Sequence, residues 1–356
     1  MPGKAIDPFD RGLLEVIQER IPLVREPFAQ IATQLGCSEE LLLDRLAALS
    51  GDGGIIREIS GIFDPSALGY TQGLVAFRVD EEALDVAGAI AAGHPGVSHC
   101  YGRTGTYNLW FTLAVSQRSQ LGLERTVHIL AHQSKAAAHM ILPTLKRYKL
   151  DVRFAAGAAT CSTTSPRPGP PADGRRRSAE ANPPLLSDEQ TRAVRALQSD
   201  LPRRKDPFSA AAHPFALQAD MLLVHAADFL AAGYMRRYAA VLHHRPAGAR
   251  SNVLAVWRVT DAAADAAGAA CARMTAVSHC YLRPTAEDWP YNLYTMIHGR
   301  TRQDCQRTID EIAAATALCD HTALWTLREY KKKRVALFSD EQAAWENRHA
   351  SLGGLD

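Results

Sequence analysis

One short segment occurs twice in this chain. Val97-Ser98-His99-Cys100-Tyr101 returns as Val277-Ser278-His279-Cys280-Tyr281, 180 positions later. Tyr107-Asn108-Leu109 returns as Tyr291-Asn292-Leu293, in the same order and 184 positions later. Two ordered matches at nearly one offset indicate an internal duplication, so the chain must fold as two similar halves. Because the matches include His, Cys, Tyr and Asn, the duplication bears on function as well as on fold.

Length and composition are those of an ordinary globular protein. A chain of 356 residues suggests two or three domains. Its contents of 47% apolar and 22% charged residues are typical of such domains. We expect no membrane segment, because no uncharged apolar run reaches the roughly 18 residues of a spanning helix. The first eleven residues lack the apolar core of a signal peptide, so we expect a cytoplasmic location.

Neither the cysteine content nor the net charge indicates a metal site or nucleic-acid binding. The seven cysteines are an odd and scattered set, which fits reduced thiols. The sequence contains no Cys-x-x-Cys pair, so we expect no structural zinc site. The net charge of +2 is too small to indicate nucleic-acid binding by itself.

A segment rich in proline and small polar residues separates the halves. It contains Ser162–Pro171 and Arg175–Arg177, and its composition cannot bury enough apolar surface to offset chain entropy. The predicted organisation is a winged helix-turn-helix at 1–64, a ferredoxin-like domain at 65–154, a linker at 155–184, a degenerate winged helix-turn-helix at 185–247, a second ferredoxin-like domain at 248–338, and a polar tail at 339–356.

Local patterns support this α+β fold. Apolar spacing predicts helices over 8–20, 26–34 and 39–48, with Ser38 as the N-cap of the third. We expect a wing hairpin over 55–63, with its turn near Ser60-Gly61. The rest of the half reads strand, helix, strand, strand, helix, strand, which is the order of a ferredoxin-like unit. The second half repeats the pattern.

The pattern of a winged helix-turn-helix followed by a ferredoxin-like domain resembles the Lrp/AsnC family. Finer motifs resemble siroheme decarboxylase subunits. They are Gly96–Arg103 with Tyr107–Thr112, Met235–Arg245, and Tyr330–Val335. The first half resembles the NirD or AhbA type and the second the NirL or AhbB type, so the whole is similar to the fused, NirDL-type form.

This resemblance implies an activity. The family removes the C12 and C18 acetate carboxylates of siroheme and yields 12,18-didecarboxysiroheme, in heme d1 or alternative heme biosynthesis. It implies no separate cofactor and no metal site of the protein's own, because the iron belongs to the substrate. The halves should pair within one chain. Further association, with a second copy or with NirG/NirH-like subunits, stays open.

The chain carries residues suited to that chemistry. An octa-carboxylate macrocycle needs cations around an apolar cleft, and the carbanion left by decarboxylation needs a nearby acid. Histidine suits that role near neutral pH. The candidate proton donors are His99, His279, His243 and His244, of which His99 and His279 are alternatively iron-facing. The candidate substrate-binding residues are Arg103, Tyr107, Arg236, Arg237, Arg245, Tyr281, Trp289, Tyr291, Asn292, Lys331, Lys332 and Arg334.

Each candidate also has a structural interpretation. His99 and His279 lie on short strands beside a cysteine, where a histidine is often part of the packing. His243 and His244 face opposite ways if they lie on a strand, so at most one meets a given ligand. Lys331–Arg334 fits a solvated strand end, and Tyr107 and Tyr291 fit a core. Trp289 lies in an insertion, which fits either a longer turn or a lid.

Two other functions compete with the enzyme. A DNA-binding regulator needs Lys or Arg on its second helix-turn-helix helix. Ser38–Leu46 has three acids and one base, and Gln218–Ala226 has one acid, one histidine and no Lys or Arg. We therefore expect no DNA partner. A tetrapyrrole sensor without catalysis is the third interpretation.

Overall fold

The computed structural model describes residues 6–51, 53–150, 185–243 and 251–350. These residues belong to two compact units, each built from both halves of the duplication. The first unit lies within 1–70, 183–244 and 336–343, and the second within 71–182, 245–335 and 344–356. The predicted linker, 155–184, falls entirely outside the described residues.

Helices and strands follow the same order in the two halves up to the last strand, which is divided into two in the first half and continuous in the second. The helices are α1 (Pro8–Glu19), α2 (Pro27–Leu35), α3 (Glu39–Ser50), α4 (Leu84–Gly93), α5 (Gly122–Gln133), α6 (Asp188–Gln198), α7 (Pro207–Ala212), α8 (Ala219–Ala231), α9 (Asp261–Arg273), α10 (Arg302–Thr316) and α11 (Asp340–Ala350). The strands are β1 (Ile56–Phe63), β2 (Tyr70–Arg78), β3 (Val97–Arg103), β4 (Leu109–Ser116), β5 (Ala138–Leu142), β6 (Lys146–Leu150), β7 (Met235–Leu242), β8 (Ser251–Trp257), β9 (Val277–Leu282), β10 (Leu293–Gly299) and β11 (His321–Lys332).

The helices of the first unit begin where the sequence places caps. The Asp7 side chain accepts from the backbone N–H of Asp10 at 2.8 Å, with Pro8 in the first turn of α1. Ser38 caps α3 by accepting from Leu41 N at 3.2 Å, so the predicted N-cap is confirmed. Gly36 ends α2 in the left-handed region, with φ of 66°, which a side chain would strain.

The predicted wing hairpin is wrong. Residues 56–63 form one continuous strand, and the expected turn residues Ser60 and Gly61 lie opposite Ala239 and Tyr238 of β7. The partner of β1 is therefore its counterpart from the second half. Sequence alternation identifies a strand but not its neighbour, and the equivalent strand of the other half satisfies the backbone groups.

A nine-stranded sheet forms the second unit, in the order β5-β2-β4-β3-β11-β8-β10-β9-β6. β11 pairs first with β8 of its own half, through 321–325, and then with β3 of the first half, through 326–332. The first half does the reverse: β5 pairs with its own β2, and β6 pairs with β9 of the second half. The end of the last strand of each half thus pairs with a strand of the other half.

The two edge strands of this sheet are neighbours in sequence. Only residues 143–145 separate β5 from β6. A flat sheet of this width would hold its edges roughly 35–40 Å apart, since adjacent strands are about 4.8 Å apart. A connection of four Cα steps spans at most about 15 Å. The sheet therefore curves round on itself, with an inner face and an outer face.

Helices cover only the outer face. α4 and α5 pack on the first half of the sheet and α9 and α10 on the second, over two cores centred on Phe77 and Trp257. The inner face has its own apolar cluster with members from both halves, among them Trp110, Trp289 and Tyr294.

Within the predicted polar tail, Asp340–Ala350 forms helix α11. Trp345 is buried, with its ring 4.2 Å from that of His94 and 4.1 Å from that of His349. This aromatic ring packs the otherwise polar helix against the rest of the chain. Among the described residues, no helix is both long and apolar enough to cross a membrane.

Candidate active site

The duplicated motif places three side chains in a row on the inner face of each half. Because neighbouring residues of a strand face opposite sides, Cys100 points to the outer face, where its thiol approaches Gly88 O at 3.8 Å. His99, Tyr101 and Arg103 then share the inner face. The imidazole of His99 lies 6.3 Å from the Tyr101 ring, and the Arg103 guanidinium lies 5.0 Å from that ring.

The second half builds the same row from β9. The rings of His279 and Tyr281 are 6.1 Å apart, and the guanidinium of Arg283 lies 5.1 Å from the Tyr281 ring. Sequence reasoning identified His279 and Tyr281 but missed Arg283 and Tyr101. The signal was available, because Arg103 and Arg283 are also 180 positions apart, two residues beyond the repeated segment.

Both arginines are buried without a counter-ion. Arg103 and Arg283 are 3% and 8% exposed. Arg103 donates to Leu324 O at 3.1 Å and to Thr326 Oγ1 at 2.8 Å, and Arg283 donates to Leu142 O at 2.6 Å. Across the described part of the chain no carboxylate pairs with either, and both Nε atoms lack a hydrogen-bond partner. Such charges attract an anion.

Burial changes the acidity of this row. Desolvation lowers the pKa of Arg103 to about 10 and lowers that of Arg283 as well. Desolvation, with the nearby Glu329 carboxylate, raises the pKa of Tyr101 to about 12. The guanidinium groups and the phenol therefore keep their protons at neutral pH.

A serine hydroxyl holds each histidine. His99 Nδ1 lies 3.0 Å from Ser98 Oγ, which in turn lies 2.5 Å from Thr112 Oγ1. The first-half imidazole is thus the end of a short chain of hydroxyl groups. The nitrogen that the serine engages is therefore Nδ1.

The second-half histidine has a different neighbour. His279 Nδ1 lies 2.7 Å from Ser278 Oγ, and that oxygen lies 2.9 Å from Nε2 of His298 on β10. Strand pairing distinguishes the two sites further. His99 lies opposite Lys332 of β11, whereas His279 lies opposite Leu150 of β6. The two sites are therefore similar but not equivalent.

Lys331 and Lys332 face opposite sides of the sheet. The Lys331 ammonium donates to Ala92 O and His94 O, both at 2.8 Å, at the end of α4. It stabilises that helix end on the outer face. Lys332 lies on the His99 side, and Arg334 is exposed beyond the end of β11. Of the three predicted cations Lys331, Lys332 and Arg334, Lys332 is the one that lies opposite a candidate histidine, His99.

Trp289 is buried in the apolar cluster of the inner face. It is 5% exposed, and its ring lies 5.6 Å from Tyr107 and 5.1 Å from Tyr291. The Tyr107 hydroxyl donates to the Asp288 carboxylate at 2.9 Å. The insertion thus adds a tryptophan that packs against aromatic rings of the inner core.

Asn292 has a structural task. Its side chain accepts from Val259 N at 2.9 Å and donates to Val259 O at 2.8 Å. Asn108 brackets Val79 in the same way, at 3.0 and 2.7 Å. The repeated asparagine therefore joins two strand ends in each half, which explains its recurrence without a ligand.

The remaining candidates belong to the first unit. Arg236 forms an ion pair with Asp64 at 2.6 Å, and Arg237 donates to Gln18 O at 3.3 Å. His243 is exposed at the end of β7, where its backbone N–H donates to Ile55 O. His244 and Arg245 lie outside the described residues.

In α3, the helix that would contact DNA in a regulator, the basic side chain is already paired with acidic ones. Arg45, the one basic residue of α3, pairs with Asp10 at 2.7 Å and also with Asp7. On α8, Asp220 pairs with Arg25 at 2.7 Å. A helix that presents acids and a neutralised arginine repels a phosphate backbone. As for metals, nowhere in the described ranges do three His, Cys, Asp or Glu side chains come together as a ligand set.

Comparisons with known proteins match this architecture. The profile of the AsnC-like ligand binding domain matches residues 67–149 and 246–331, and that of the siroheme decarboxylase NirDL-like HTH domain matches 10–57. A siroheme decarboxylase of Hydrogenobacter thermophilus is 34% identical over 95% of this chain and 97% of its own. The siroheme decarboxylase NirDL subunit of Paracoccus denitrificans is 29% identical over 93% and 98%. A crystal structure of the siroheme decarboxylase NirDL with an iron-uroporphyrin III analogue is 30% identical, with a TM-score of 0.78, covering 97% of this chain and 99% of that one.

Proposed function

Because the chain belongs to the siroheme decarboxylase family, in its fused NirDL form, we propose that it decarboxylates siroheme. It is a carboxy-lyase that removes the C12 and C18 acetate carboxylates and releases 12,18-didecarboxysiroheme. The iron enters and leaves as part of the substrate. The regulator alternative is not favoured, because the only cation of α3 is neutralised by two aspartates.

The paired His-Tyr-Arg rows are the observation that carries this proposal. Each row sets a buried, unneutralised guanidinium on the same face as an imidazole whose Nδ1 is already bonded. A substrate with many carboxylates supplies the anions that Arg103 and Arg283 lack. We propose Lys332 as a further anchor beside His99.

The reaction needs a proton and no electrons. The bond between the acetate methylene carbon and its carboxylate carbon breaks, and CO2 leaves. The electron pair stays on the methylene carbon, where the macrocycle delocalises the charge. The Nε2–H of His99 or His279 then protonates that carbon to a methyl group. His243, Arg236 and Arg237 of the first unit remain proposed contacts, together with His244, Arg245 and Arg334.

Location and partners belong to this proposal as well. We place the reaction in the cytoplasm, which is supported by the six described cysteines, all of them unpaired. We propose siroheme as the small-molecule partner. The association with a second copy or with NirG/NirH-like subunits is kept as a proposal, supported by relatives that are named as subunits.

Anaerobic incubation with siroheme tests the function. Mass spectrometry of the extracted tetrapyrrole should show the loss of two CO2 units per molecule, in proportion to enzyme and time. Protein that binds siroheme but leaves its mass unchanged would instead be a sensor. Sequence-specific, salt-sensitive binding of duplex DNA would restore the regulator.

A further inference from the structure

The hydrogen-bonded chain behind His279 ends in a second imidazole, whereas the chain behind His99 ends in a hydroxyl. In the second half the order is His279 Nδ1, Ser278 Oγ and His298 Nε2, with separations of 2.7 and 2.9 Å. In the first half, Thr112 takes the end position. At the position equivalent to His298, 184 residues earlier, the first half has Ala114.

From this difference, and resting on the proposed function, we infer that His298 is a positioning residue that supplies protons to His279 through Ser278. An imidazole gains and loses a proton near neutral pH, and a threonine hydroxyl does not titrate there. His279 is then the histidine whose lost proton is replaced, on Nδ1, during the transfer itself. Behind His99 the corresponding place is taken by the Thr112 hydroxyl, and we assign His99, which lies opposite Lys332, to holding the substrate.

The proton balance is simple. His279 loses one proton from Nε2 to the substrate carbon. In the same step Ser278 gives a proton to Nδ1 of His279 and receives one from Nε2 of His298, whose Nδ1 takes one from solvent. Exchange with solvent then returns both rings to their starting tautomers before the next decarboxylation. Each decarboxylation therefore consumes one solvent proton, and no oxidant or reductant takes part.

The surroundings of His298 support a neutral relay. Burial, then the positive charges of Lys332 on β11 and Arg103 on β3, lower its pKa from the ordinary value of 6.5. Arg103 donates to the Thr326 hydroxyl, which lies 2.6 Å from Asn252 Oδ1. Asn252 in turn lies opposite His298 in the sheet. A neutral imidazole can both donate and accept, which a relay requires.

The test compares His298→Gln with His128→Gln in the full-length protein. Glutamine keeps an N–H for Ser278 but cannot titrate. We expect H298Q to keep its KM for siroheme within about twofold while kcat falls about a hundredfold, the usual contribution of an acid–base group. Its pH profile of kcat should also lose the limb below pH 6.5 that titration of His298 produces in the wild type. His128 is exposed on α5, and H128Q should match the wild type.

A double-variant comparison guards against misfolding. Ser278→Ala breaks the same chain from its middle, so the double variant S278A/H298Q should lose no more kcat than S278A alone. Additive losses, or an H298Q enzyme with wild-type kcat and pH profile, would overturn the relay. Failure of the wild type to decarboxylate siroheme would instead overturn the proposed function, so the two failures are distinct.

Discussion

At the scale of single residues, the inner face holds charge that folding alone does not explain. Arg103 and Arg283 are desolvated, and within the described residues neither meets a carboxylate. A buried charge without a counter-ion costs stability, and packing alone would favour an apolar side chain of the same length. The paired arginines are therefore retained at a cost, which is the behaviour expected of substrate-binding groups.

The first prediction separates those two roles. Arg283→Met should leave the unfolding midpoint at or above that of the wild type, because it removes a buried charge. It should weaken siroheme binding by about 1.5–3 kcal/mol, the value of a charged hydrogen bond. Thermal unfolding and a siroheme titration measure both. Arg258→Met, at an exposed arginine, is the control, and equal binding by the two variants would contradict the assignment.

A second residue-scale prediction concerns His94. Burial lowers its pKa to about 3, and its Nδ1 accepts from Gly96 N at 2.9 Å, so the ring is neutral in the folded chain. The unfolded chain binds a proton below the ordinary pKa of 6.5 and the folded chain does not. The stability contribution is thus complete above pH 6.5 and is lost as the pH falls towards 3.

His94→Asn keeps the acceptor and removes the titration. Between pH 6.5 and 3, the free energy of unfolding of the wild type should fall more steeply than that of the variant, by up to about 1.4 kcal/mol per pH unit. Urea unfolding over a pH series measures this. Parallel curves would show that His94 titrates alike in the folded and unfolded chains.

At the scale of elements, the strand ends that cross to the other half pack against two helical glycines. A Cβ at Gly88 of α4 would lie 2.5 Å from the ring of Tyr330 on β11, and a Cβ at Gly268 of α9 would meet the ring of Tyr148 on β6. The two hydroxyls donate to Asp85 and Asp265, each at 2.7 Å. In each helix, the glycine therefore leaves room for a tyrosine ring from the last strand of the other half.

This contact reverses the usual effect of a helix substitution. Gly→Ala in a helix normally stabilises by about 0.5–1 kcal/mol. We expect Gly88→Ala to destabilise by about 1–3 kcal/mol, because the tyrosine ring must move. Gly12→Ala in α1, where nothing lies within 4 Å of the new Cβ, is the control and should be neutral or stabilising. Chemical denaturation compares the two, and a stabilised G88A would show that the ring yields freely.

Much of this architecture could be predicted from the sequence. The duplication, the cap at Ser38 and the order of strands and helices follow from local patterns. The partners of β1 and β6 do not, because alternation gives a strand its faces and not its neighbour. Strand alternation does separate Lys331 from Lys332 once the strand is known. Trp289 stayed ambiguous, since only long-range packing shows that an insertion fills a core.

At the scale of the whole molecule, strand exchange makes the halves inseparable. β11 completes the first-half sheet at β3, and β6 completes the second-half sheet at β9. In each unit, strands from the two halves pair directly. The covalent connection through 155–184 is therefore not what holds the halves together.

Cleavage of that connection tests this view. With a protease site introduced near residue 165, the cut protein should still elute as one species and keep its decarboxylase activity, because several backbone ladders remain. Size-exclusion chromatography before and after cleavage, with a sample in denaturant as the reference, reports the outcome. Separation of the fragments in native buffer would contradict the exchange.

The exchange of strand ends between the halves also determines which residue lies beside each histidine. Lys332 reaches His99 only because it comes from the opposite half, and Leu150 reaches His279 for the same reason. Two first halves assembled together would place leucine beside both histidines and would lack the lysine entirely. Encoding both halves in one polypeptide excludes that mispairing at synthesis, so every molecule contains one site of each kind, in equal number.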